Sequence, residues 1–332
     1  MVFSRQVVHL QLSLIMINMK AAAIYEYGNS DKIKIIELDK PKVKSKEVLI
    51  KVMSSSINSA DSRIRRANPW LVRLMYGLRK PKYPIIGIVY AGIIEELGSE
   101  VTSFKVGDRI YGMREDFLGT QADYCVLDAN KPIGRMPEEM DFNDAAALPF
   151  GFTTALHFLK GINLKNKSVL INGASGAVGL AFIQVATIQF AKITAVCSSK
   201  NFDLIRTLGV EEIIDYQKID IVQANKEFDI VIDCVNTISL KNLEKLVKIR
   251  GDIFIVAGLI KEMIFSNLMK KANVHIGTAV VTQEQYETIN KLYLESNLRP
   301  IISKVFAFEE IREANRIVDE GHKVGSIIVE IN

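Results

Sequence analysis

The stretch from Ser168 to Ile188, SVLINGASGAVGLAFIQVATI, decides the fold of this chain. A short apolar run is followed by a turn with three glycines, and then by apolar residues at helical spacing. Such glycines let the chain turn off a strand, approach a phosphate and pack a helix closely. The pattern favours a dinucleotide pyrophosphate site over a turn without a ligand. Its predicted contacts are Gly173, Ser175, Gly176, Ala177, Val178 and Gly179.

Length and composition limit the protein classes that fit. The chain has 332 residues, 48% of them hydrophobic, which is enough for two domains with their own cores. A net charge of +4 gives no general argument for nucleic acid. The three cysteines and four histidines are scattered without any CxxC, so their spacing predicts no metal site. Unpaired cysteines favour a reducing compartment, and we expect the protein to be cytoplasmic.

Residues 1–18 are apolar enough to resemble a signal peptide. Polar residues interrupt the apolar run, and no small-residue cleavage site precedes Lys20. The stretch is also too short to span a bilayer. We interpret it as an N-terminal extension before a start at Met19.

The pattern of predicted secondary structure changes once along the rest of the chain. Residues 19–126 contain short β-rich segments, which predict a largely antiparallel β domain. Strands and helices then alternate, as is typical of an α/β doubly wound parallel sheet. The predicted strands are 168–172, 193–197, 228–235 and 251–258, and the predicted helices lie near 176–190, 201–208 and 239–249. A helix near 308–321 and a final strand, SIIVEI, return to the β domain. We therefore divide the chain into a β domain, 19–128 with 279–332, and a nucleotide domain, 129–278.

The end of the second strand bears on cofactor choice. NAD sites carry an acid there that accepts hydrogen bonds from the ribose hydroxyls. Here the strand runs into Ser198 and Lys200 without an acid, so hydroxyls and an ammonium group favour the 2′-phosphate of NADPH. Tyr216, after the third strand, adds another donor. The alternative is that Lys200 is simply a solvated residue at a helix start.

Several segments together resemble the medium-chain dehydrogenase/reductase superfamily, and within it the zinc-independent quinone oxidoreductase (zeta-crystallin-like) type. They are MKAAAIYEYG, INSAD, AGIIEELGSEVTSFKVGDRIYG, LPFGFTTALHFL, NGASGAVG, AVCSSKN, LGVEEIIDY and GHKVGSIIVEI. The match runs from Met19 to Ile331. It implies a GroES-like catalytic domain beside a Rossmann domain, with the active site in the cleft between them.

The resemblance also implies where zinc would bind. Zinc-dependent relatives carry a cysteine at the position of Asn58, and a histidine and a glutamate at Ile88 and Val89. Isoleucine and valine cannot coordinate zinc, so we expect no metal. Reduction of a simple carbonyl needs a strong electrophile for the developing oxyanion. A quinone or conjugated enone spreads that charge over its π-system, and it is therefore the expected acceptor.

The resemblance places three side chains at the hydride transfer. Asn58 would donate to nicotinamide or substrate, Asp61 would order the loop, and Thr154 would lie against the nicotinamide ring. Asx turns and an ordinary helix position are the structural alternatives. The remaining implied cofactor contacts are Val235, Asn236, Ala257, Gly258, Leu259, Gly277 and Thr278. Relatives commonly pair through the edge of the Rossmann sheet, so we expect a homodimer.

Residues 63–82, RIRRANPWLVRLMYGLRKPK, contain seven basic residues and no acid, interleaved with apolar side chains. Three interpretations stay open. The segment forms an apolar lid that favours anionic substrates such as a coenzyme A ester, it contacts an acidic membrane surface transiently, or it is a solvated face with snorkelling cations. RNA is not expected, because no binding module is present.

Two classes of function follow from the sequence. The first is an NADPH-dependent reductase of quinones, enones or alkenals, with enoyl thioesters as a variant of that class. The second is a non-catalytic NADPH-binding protein with a regulatory or structural role. Turnover separates the two classes.

Overall fold

The computed structural model describes residues 18–114, 118–256 and 271–332. Its strands fall into two large sheets and one small pair. The pair consists of β1 (Asn18–Ala23) and β2 (Lys34–Asp39), which run antiparallel. The predicted extension, residues 1–18, lies outside the described residues except for Asn18, which begins β1.

The first large sheet is parallel throughout and carries the glycine turn. Its six strands, in spatial order, are β10 (Glu212–Asp215), β9 (Lys192–Cys197), β8 (Ser168–Asn172), β11 (Phe228–Asp233), β12 (Val247–Ile255) and β13 (Asn273–Ile276). In chain order this is 3-2-1-4-5-6, the order of a Rossmann sheet. The prediction of a doubly wound parallel sheet is confirmed.

The second large sheet is mostly antiparallel and corresponds to the GroES-like part. In spatial order it contains β14 (Ile302–Ala307), β15 (Ser326–Glu330), β3 (Glu47–Ile57), β4 (Val89–Leu97), β5 (Arg109–Met113) and β7 (Gly134–Arg135), with β6 (Tyr124–Asp128) paired to β3. The chain's last strand pairs antiparallel with β3. Because β7 joins this sheet after residue 128, the sheet extends past the predicted boundary there. The domain division remains a prediction.

The described helices connect these strands. They are α1 (Ser59–Arg66), α2 (Val72–Tyr76), α3 (Phe142–Phe158), α4 (Ala177–Ile188), α5 (Phe202–Thr207), α6 (Leu240–Leu246), α7 (Gln283–Glu295) and α8 (Ile311–Glu320). The apolar helices α3 and α4 pack against each other inside the largest buried cluster, which also includes residues of the parallel sheet. None of the helices in the described ranges is both long and apolar enough to cross a bilayer.

One predicted helix ends earlier than expected. The sequence pattern predicts helix near 239–249, but α6 ends at Leu246 and β12 begins at Val247. The cause is local, because Val247 and Ile249 are β-branched and Arg250 has a left-handed φ of 62° that a helix cannot contain. A register shift in the pairing of β11 and β12 absorbs this irregularity.

Candidate active site

The glycine turn lies at the point where the strand order of the parallel sheet reverses, between β8 and β11. Ligands of open α/β sheets bind in the crevice beyond the carboxyl ends of the strands at such a point. The loops after these two strands meet there. Gly173 has a φ of +77°, and a Cβ added to it would lie 2.6 Å from Val235 Cγ1. Only glycine fits this position without strain.

The start of α4 forms a cradle that fits a pyrophosphate. Gly176 is the N-cap residue, and no side chain caps the helix. A Cβ on Gly176 would meet nothing closer than Gly173 O, at 3.6 Å, so this face of the turn is open. A Cβ on Gly179 would instead lie 2.3 Å from Gly173 O, so the helix packs directly on the turn. The uncapped N–H groups of Ala177 and Val178 suit an anion at this open face.

A buried pair that the sequence analysis missed holds the loop after β11. Asn172 Nδ2 donates to Asp233 Oδ1 at 3.1 Å, which joins β8 to β11. The same oxygen accepts the backbone N–H groups of Val235, at 3.1 Å, and Asn236, at 2.9 Å. Burial raises the pKa of Asp233, and these hydrogen bonds oppose that rise. The pair therefore positions two predicted cofactor contacts.

The predicted 2′-phosphate contacts follow β9 and β10. Lys200 is exposed, Ser198 is partly buried, and Tyr216 is 47% exposed. Asp215 ends β10 opposite Cys197, and hydrogen bonds from Gln217 and Ser199 lower its pKa. This edge therefore combines hydroxyl groups and an ammonium group with one carboxylate.

Gly277 and Thr278 follow β13 at the same carboxyl edge as the glycine turn, and Thr278 is exposed. Ala257, Gly258 and Leu259 lie outside the described residues.

Asn58 begins the helix that leads away from the predicted catalytic loop. Its Oδ1 accepts from the backbone N–H groups of Ala60, at 2.9 Å, and Asp61, at 3.2 Å. Asp61 Oδ2 accepts in return from the Asn58 N–H at 2.9 Å, which completes a capping box. Asn58 is 2% exposed, and its Nδ2 has no hydrogen-bond partner within the ranges that the structure describes. The cap uses the acceptor of this amide and leaves its donor available, so the structural and functional interpretations are compatible.

Asp61 lies in an environment that favours its neutral form. Burial raises its pKa to about 7, although the Asn58 N–H and the charges of Arg65 and Lys323 oppose the shift. Burial likewise lowers the pKa of Lys323 to about 8, and the charge of Asp61 opposes that shift. The sequence analysis missed Lys323, because the two residues are far apart in the chain.

The Lys323 loop also reaches the cofactor cradle. Lys323 Nζ donates to Gly325 O at 2.8 Å, and Gly325 N donates to Ser175 O at 2.9 Å. Gly325 further forms a parallel bridge with Gly176. The segment of Asn58 and Asp61 and the glycine turn are thus connected through one short segment before β15.

Thr154 lies in α3 and is 7% exposed. Its Oγ1 donates to Phe150 O, one turn earlier, at 2.7 Å. The hydroxyl can therefore only accept a further hydrogen bond. Such an acceptor suits the amide N–H₂ of a nicotinamide.

In this chain, apolar side chains occupy the positions that the resemblance assigns to zinc ligands in metal-dependent relatives. Ile88 and Val89 are buried and form a cluster with Leu118, against which Tyr76 and Tyr83 pack. Within the described ranges, no three His, Cys, Asp or Glu side chains come together as a metal site would require. The donor chemistry at this position does not fit zinc.

A cavity of about 490 Å³ borders this region, because Met113, which pairs with Val89, and Arg114, whose N–H donates to Ile88 O at 2.7 Å, both line it. Lys44, Tyr90, Met113, Arg114, Lys131 and Val281 are among its lining residues. None of the predicted catalytic or cofactor residues that the structure describes lines it. The cavity is therefore not the predicted hydride-transfer site.

Comparisons with known proteins agree with this architecture. The family model described as alcohol dehydrogenase GroES-like domain matches residues 44–138, and that described as zinc-binding dehydrogenase matches residues 208–329. The chloroplastic quinone-oxidoreductase QR1 of Triphysaria versicolor is 29% identical over 322 residues, which cover 91% of this chain and 95% of that protein. The chloroplastic NADPH-dependent alkenal/one oxidoreductase of Arabidopsis thaliana is 26% identical over 94% of this chain and 79% of its own length.

Solved structures show the same fold. The quinone oxidoreductase from Coxiella burnetii superposes with a TM-score of 0.86 at 25% identity, covering 95% of this chain and all of that one. The Escherichia coli quinone oxidoreductase complexed with NADPH gives 0.82 at 19% identity, over 94% of this chain and all of that one. The chain belongs to the medium-chain dehydrogenase/reductase superfamily, and its residues at the zinc positions fit the zinc-independent, quinone oxidoreductase type.

Proposed function

We propose that this protein reduces a quinone or a conjugated enone or alkenal with NADPH and without zinc. The observation that carries the proposal is the buried Asn58, whose Nδ2 has no hydrogen-bond partner among the described residues. Ala60, two residues further on, packs against the apolar cluster of Ile88 and Val89. Similar proteins named as a quinone-oxidoreductase, an NADPH-dependent alkenal/one oxidoreductase and, in Solanum lycopersicum, a 2-methylene-furan-3-one reductase support the acceptor class.

The side chains of the site suit a conjugated acceptor. Bound NADPH would supply the hydride. Asn58 Nδ2 would donate a hydrogen bond to the carbonyl oxygen of the acceptor, where negative charge develops. A neutral amide is a modest donor, which suffices when the charge is delocalised but serves a simple ketone poorly. Ile88 and Val89 would exclude water around this donor and so strengthen its hydrogen bond.

The other two predicted residues would position the reactants. Thr154 Oγ1, already donating to Phe150, would accept from the nicotinamide amide. Asp61 would hold the Asn58 loop through the capping box, whether neutral or charged, because Oδ2 accepts from the Asn58 N–H. Neither residue would supply the proton that completes the reduction, so the enolate or hydroquinone anion left by hydride transfer would take its proton from solvent water.

NADPH is proposed over NADH because of the edge formed by β9 and β10. The exposed Lys200 would neutralise a 2′-phosphate, and the hydroxyls of Ser198 and Tyr216 would donate to it. Asp215 would hold the Ser199 turn and leave the phosphate to these donors.

A homodimer and a cytoplasmic location complete the proposal. Among the described strands, β13 is an edge of the parallel sheet, and an edge strand can pair with its own copy across a twofold axis. The described cysteines, Cys125, Cys197 and Cys234, are free, which suits a reducing compartment.

The experiment that tests the function is an acceptor panel with chelator-treated protein. Oxidation of NADPH and NADH is followed against ortho- and para-quinones, alkenals, a simple ketone and a crotonyl thioester. Turnover of quinones or alkenals, with NADPH preferred and the ketone inert, supports the proposal. NADPH binding without reduction of any acceptor would favour the non-catalytic class instead, and activity restored only by added zinc would contradict the assignment at Asn58, Ile88 and Val89.

A further inference from the structure

The segment of residues 63–82 presents an apolar face to solvent. Sixteen large apolar side chains are exposed among the described residues, and five of them lie within residues 70–78. They are Trp70, Leu71, Leu74, Met75 and Leu78, with exposed fractions from 40% to 73%. Exposed apolar side chains concentrated in this way mark a binding surface more often than they mark a solvated face.

The short helix α2 turns this face outward. Leu71, Leu74 and Met75 follow the spacing of one helical face, and all three are exposed. Tyr76 lies on the inner side and packs with the Ile88 and Val89 cluster. α2 therefore presents apolar side chains to solvent, where an ordinary surface helix presents polar ones.

Contacts on the inner side hold the segment in this orientation. The Tyr27 hydroxyl donates to Gly77 O at 2.6 Å, and the Arg73 guanidinium lies 4.7 Å from the centre of the Tyr27 ring. The backbone N–H of Lys82 donates to Tyr76 O at 2.7 Å. The apolar face is thus part of the folded surface, built to point away from the core.

Cations surround the apolar face. Of the seven basic residues, Arg65 is buried against Asp319 and Arg73 stacks on Tyr27, while the other five are exposed. These five are Arg63, Arg66, Arg79, Lys80 and Lys82. Within the part of the chain that the structure describes, none of the five forms an ion pair. Their charge is available to an anionic partner.

We propose that residues 63–82 dock on the surface of an anionic lipid bilayer. The aliphatic side chains would enter the region between headgroups and acyl chains, and the cations would contact the lipid phosphates and carboxylates. Single-stranded RNA fits less well, because RNA is bound through aromatic stacking and Trp70 is the one exposed aromatic side chain of the segment. Since the inner side of the segment borders the Ile88 and Val89 cluster, an acceptor dissolved in the bilayer would have a short path to the site. That last step rests on the proposed function, whereas the docking itself does not.

Vesicle binding by the full chain tests the proposal without any turnover. Co-sedimentation is measured with phosphatidylcholine vesicles, with and without phosphatidylserine, at two ionic strengths. Binding to the anionic vesicles alone, weakened by salt, is expected. The double variant R79Q/K80Q should bind about 25-fold more weakly, since each cation near the surface contributes about fivefold. Met75→Ser, at a side chain 73% exposed, should bind at least about fivefold more weakly.

Matched controls separate docking from general effects of charge and exposure. K165Q/K167Q removes the same net charge from another exposed site, and Ile249→Ser changes an apolar side chain that is 78% exposed. Both should bind vesicles like the parent protein. The proposal is overturned if the parent protein does not bind anionic vesicles, or if it binds single-stranded RNA in preference to them. It is also overturned if R79Q/K80Q binds vesicles like K165Q/K167Q and Met75→Ser binds them like Ile249→Ser.

Discussion

Two substitutions in the glycine turn should differ in their effects on the free energy of unfolding and on NADPH affinity. In Gly179→Ala the new Cβ would lie 2.3 Å from Gly173 O and 2.8 Å from Ala174 Cα. The helix must retreat by roughly 0.7 Å before the nearer contact reaches 3.0 Å, the shortest that real Cβ atoms show. Overpacking of this kind costs about 1–3 kcal/mol, of which alanine's higher helix propensity recovers up to ~1 kcal/mol. We expect the free energy of unfolding to fall by about 1–2 kcal/mol and NADPH binding to weaken with it.

Gly176→Ala is the matched variant in the same turn. Its backbone, at φ −77° and ψ 164°, suits alanine, and the nearest atom to the new Cβ lies 3.6 Å away. Stability should therefore change by less than ~1 kcal/mol. The methyl group would occupy the face where the pyrophosphate approaches the backbone. Losing one charge-assisted hydrogen bond, at about 1.5–3 kcal/mol, would weaken NADPH binding by roughly 10- to 100-fold.

Thermal unfolding and titration of NADPH fluorescence measure both effects on the same samples. The account requires Gly176→Ala to unfold like the parent protein and to bind NADPH poorly. It also requires Gly179→Ala to unfold at a lower temperature. Parent-like NADPH affinity in Gly176→Ala would refute the proposed cradle, and parent-like stability in Gly179→Ala would refute the close packing of α4.

Four further predictions concern the catalytic loop and the cofactor edge. Asn58→Ser keeps a capping oxygen but removes the amide donor, so kcat should fall by about 100-fold with little change in Tm. Asn58→Ala should lower both kcat and Tm. A kcat for Asn58→Ser equal to that of the parent protein would refute the donor role. Arg65→Met removes the charged partner of the partly buried Asp319 carboxylate, 2.5 Å from the guanidinium in the parent, and leaves it only hydrogen bonds from Ser30 and Ser62. Urea unfolding should show a loss of about 3–5 kcal/mol that adding Asp319→Asn largely restores. Asp61 has a folded pKa raised to about 7, so between its ordinary pKa and pH 7 the folded protein holds a proton that the unfolded chain has lost. The free energy of unfolding of the parent should therefore fall as pH rises through that window, by at most about 4 kcal/mol, and that of Asp61→Asn should not. Parallel plots of this free energy against pH for the two proteins would contradict the burial of this carboxyl. Lys200→Ala should raise the KM for NADPH by about tenfold and leave that for NADH unchanged, as measured by steady-state kinetics with both cofactors. An unchanged KM for NADPH would show that Lys200 is only a solvated residue.

Local patterns in the sequence were sufficient to predict the parallel sheet and its glycine turn. The run from Ser168 to Ile188 contains its own strand, turn and helix, and short-range spacing determines all three. Strands alternating with helices then allow few arrangements other than a doubly wound sheet. The end of α6 was predicted poorly, although its cause is local, because the β-branched Val247 and Ile249 and the left-handed φ of Arg250 end the helix at Leu246.

The contacts that position the site were not predictable from spacing. Asp61 and Lys323 meet only because the last strand returns to β3. Asn172 and Asp233 lie 61 residues apart and come together through parallel pairing of their strands. A single sequence shows no periodicity that links such residues, so only the folded structure identifies them.

Hydride transfer from deuterated cofactor in metal-stripped protein tests the central claim most directly. Protein dialysed against a chelator is given NADPH with both C4 hydrogens replaced by deuterium, together with a conjugated enone, and the product is examined by mass spectrometry and NMR. The account predicts deuterium at the β-carbon of the reduced enone, with no dependence on added zinc. A product without the label, or a reaction that proceeds only when zinc is supplied, would contradict it.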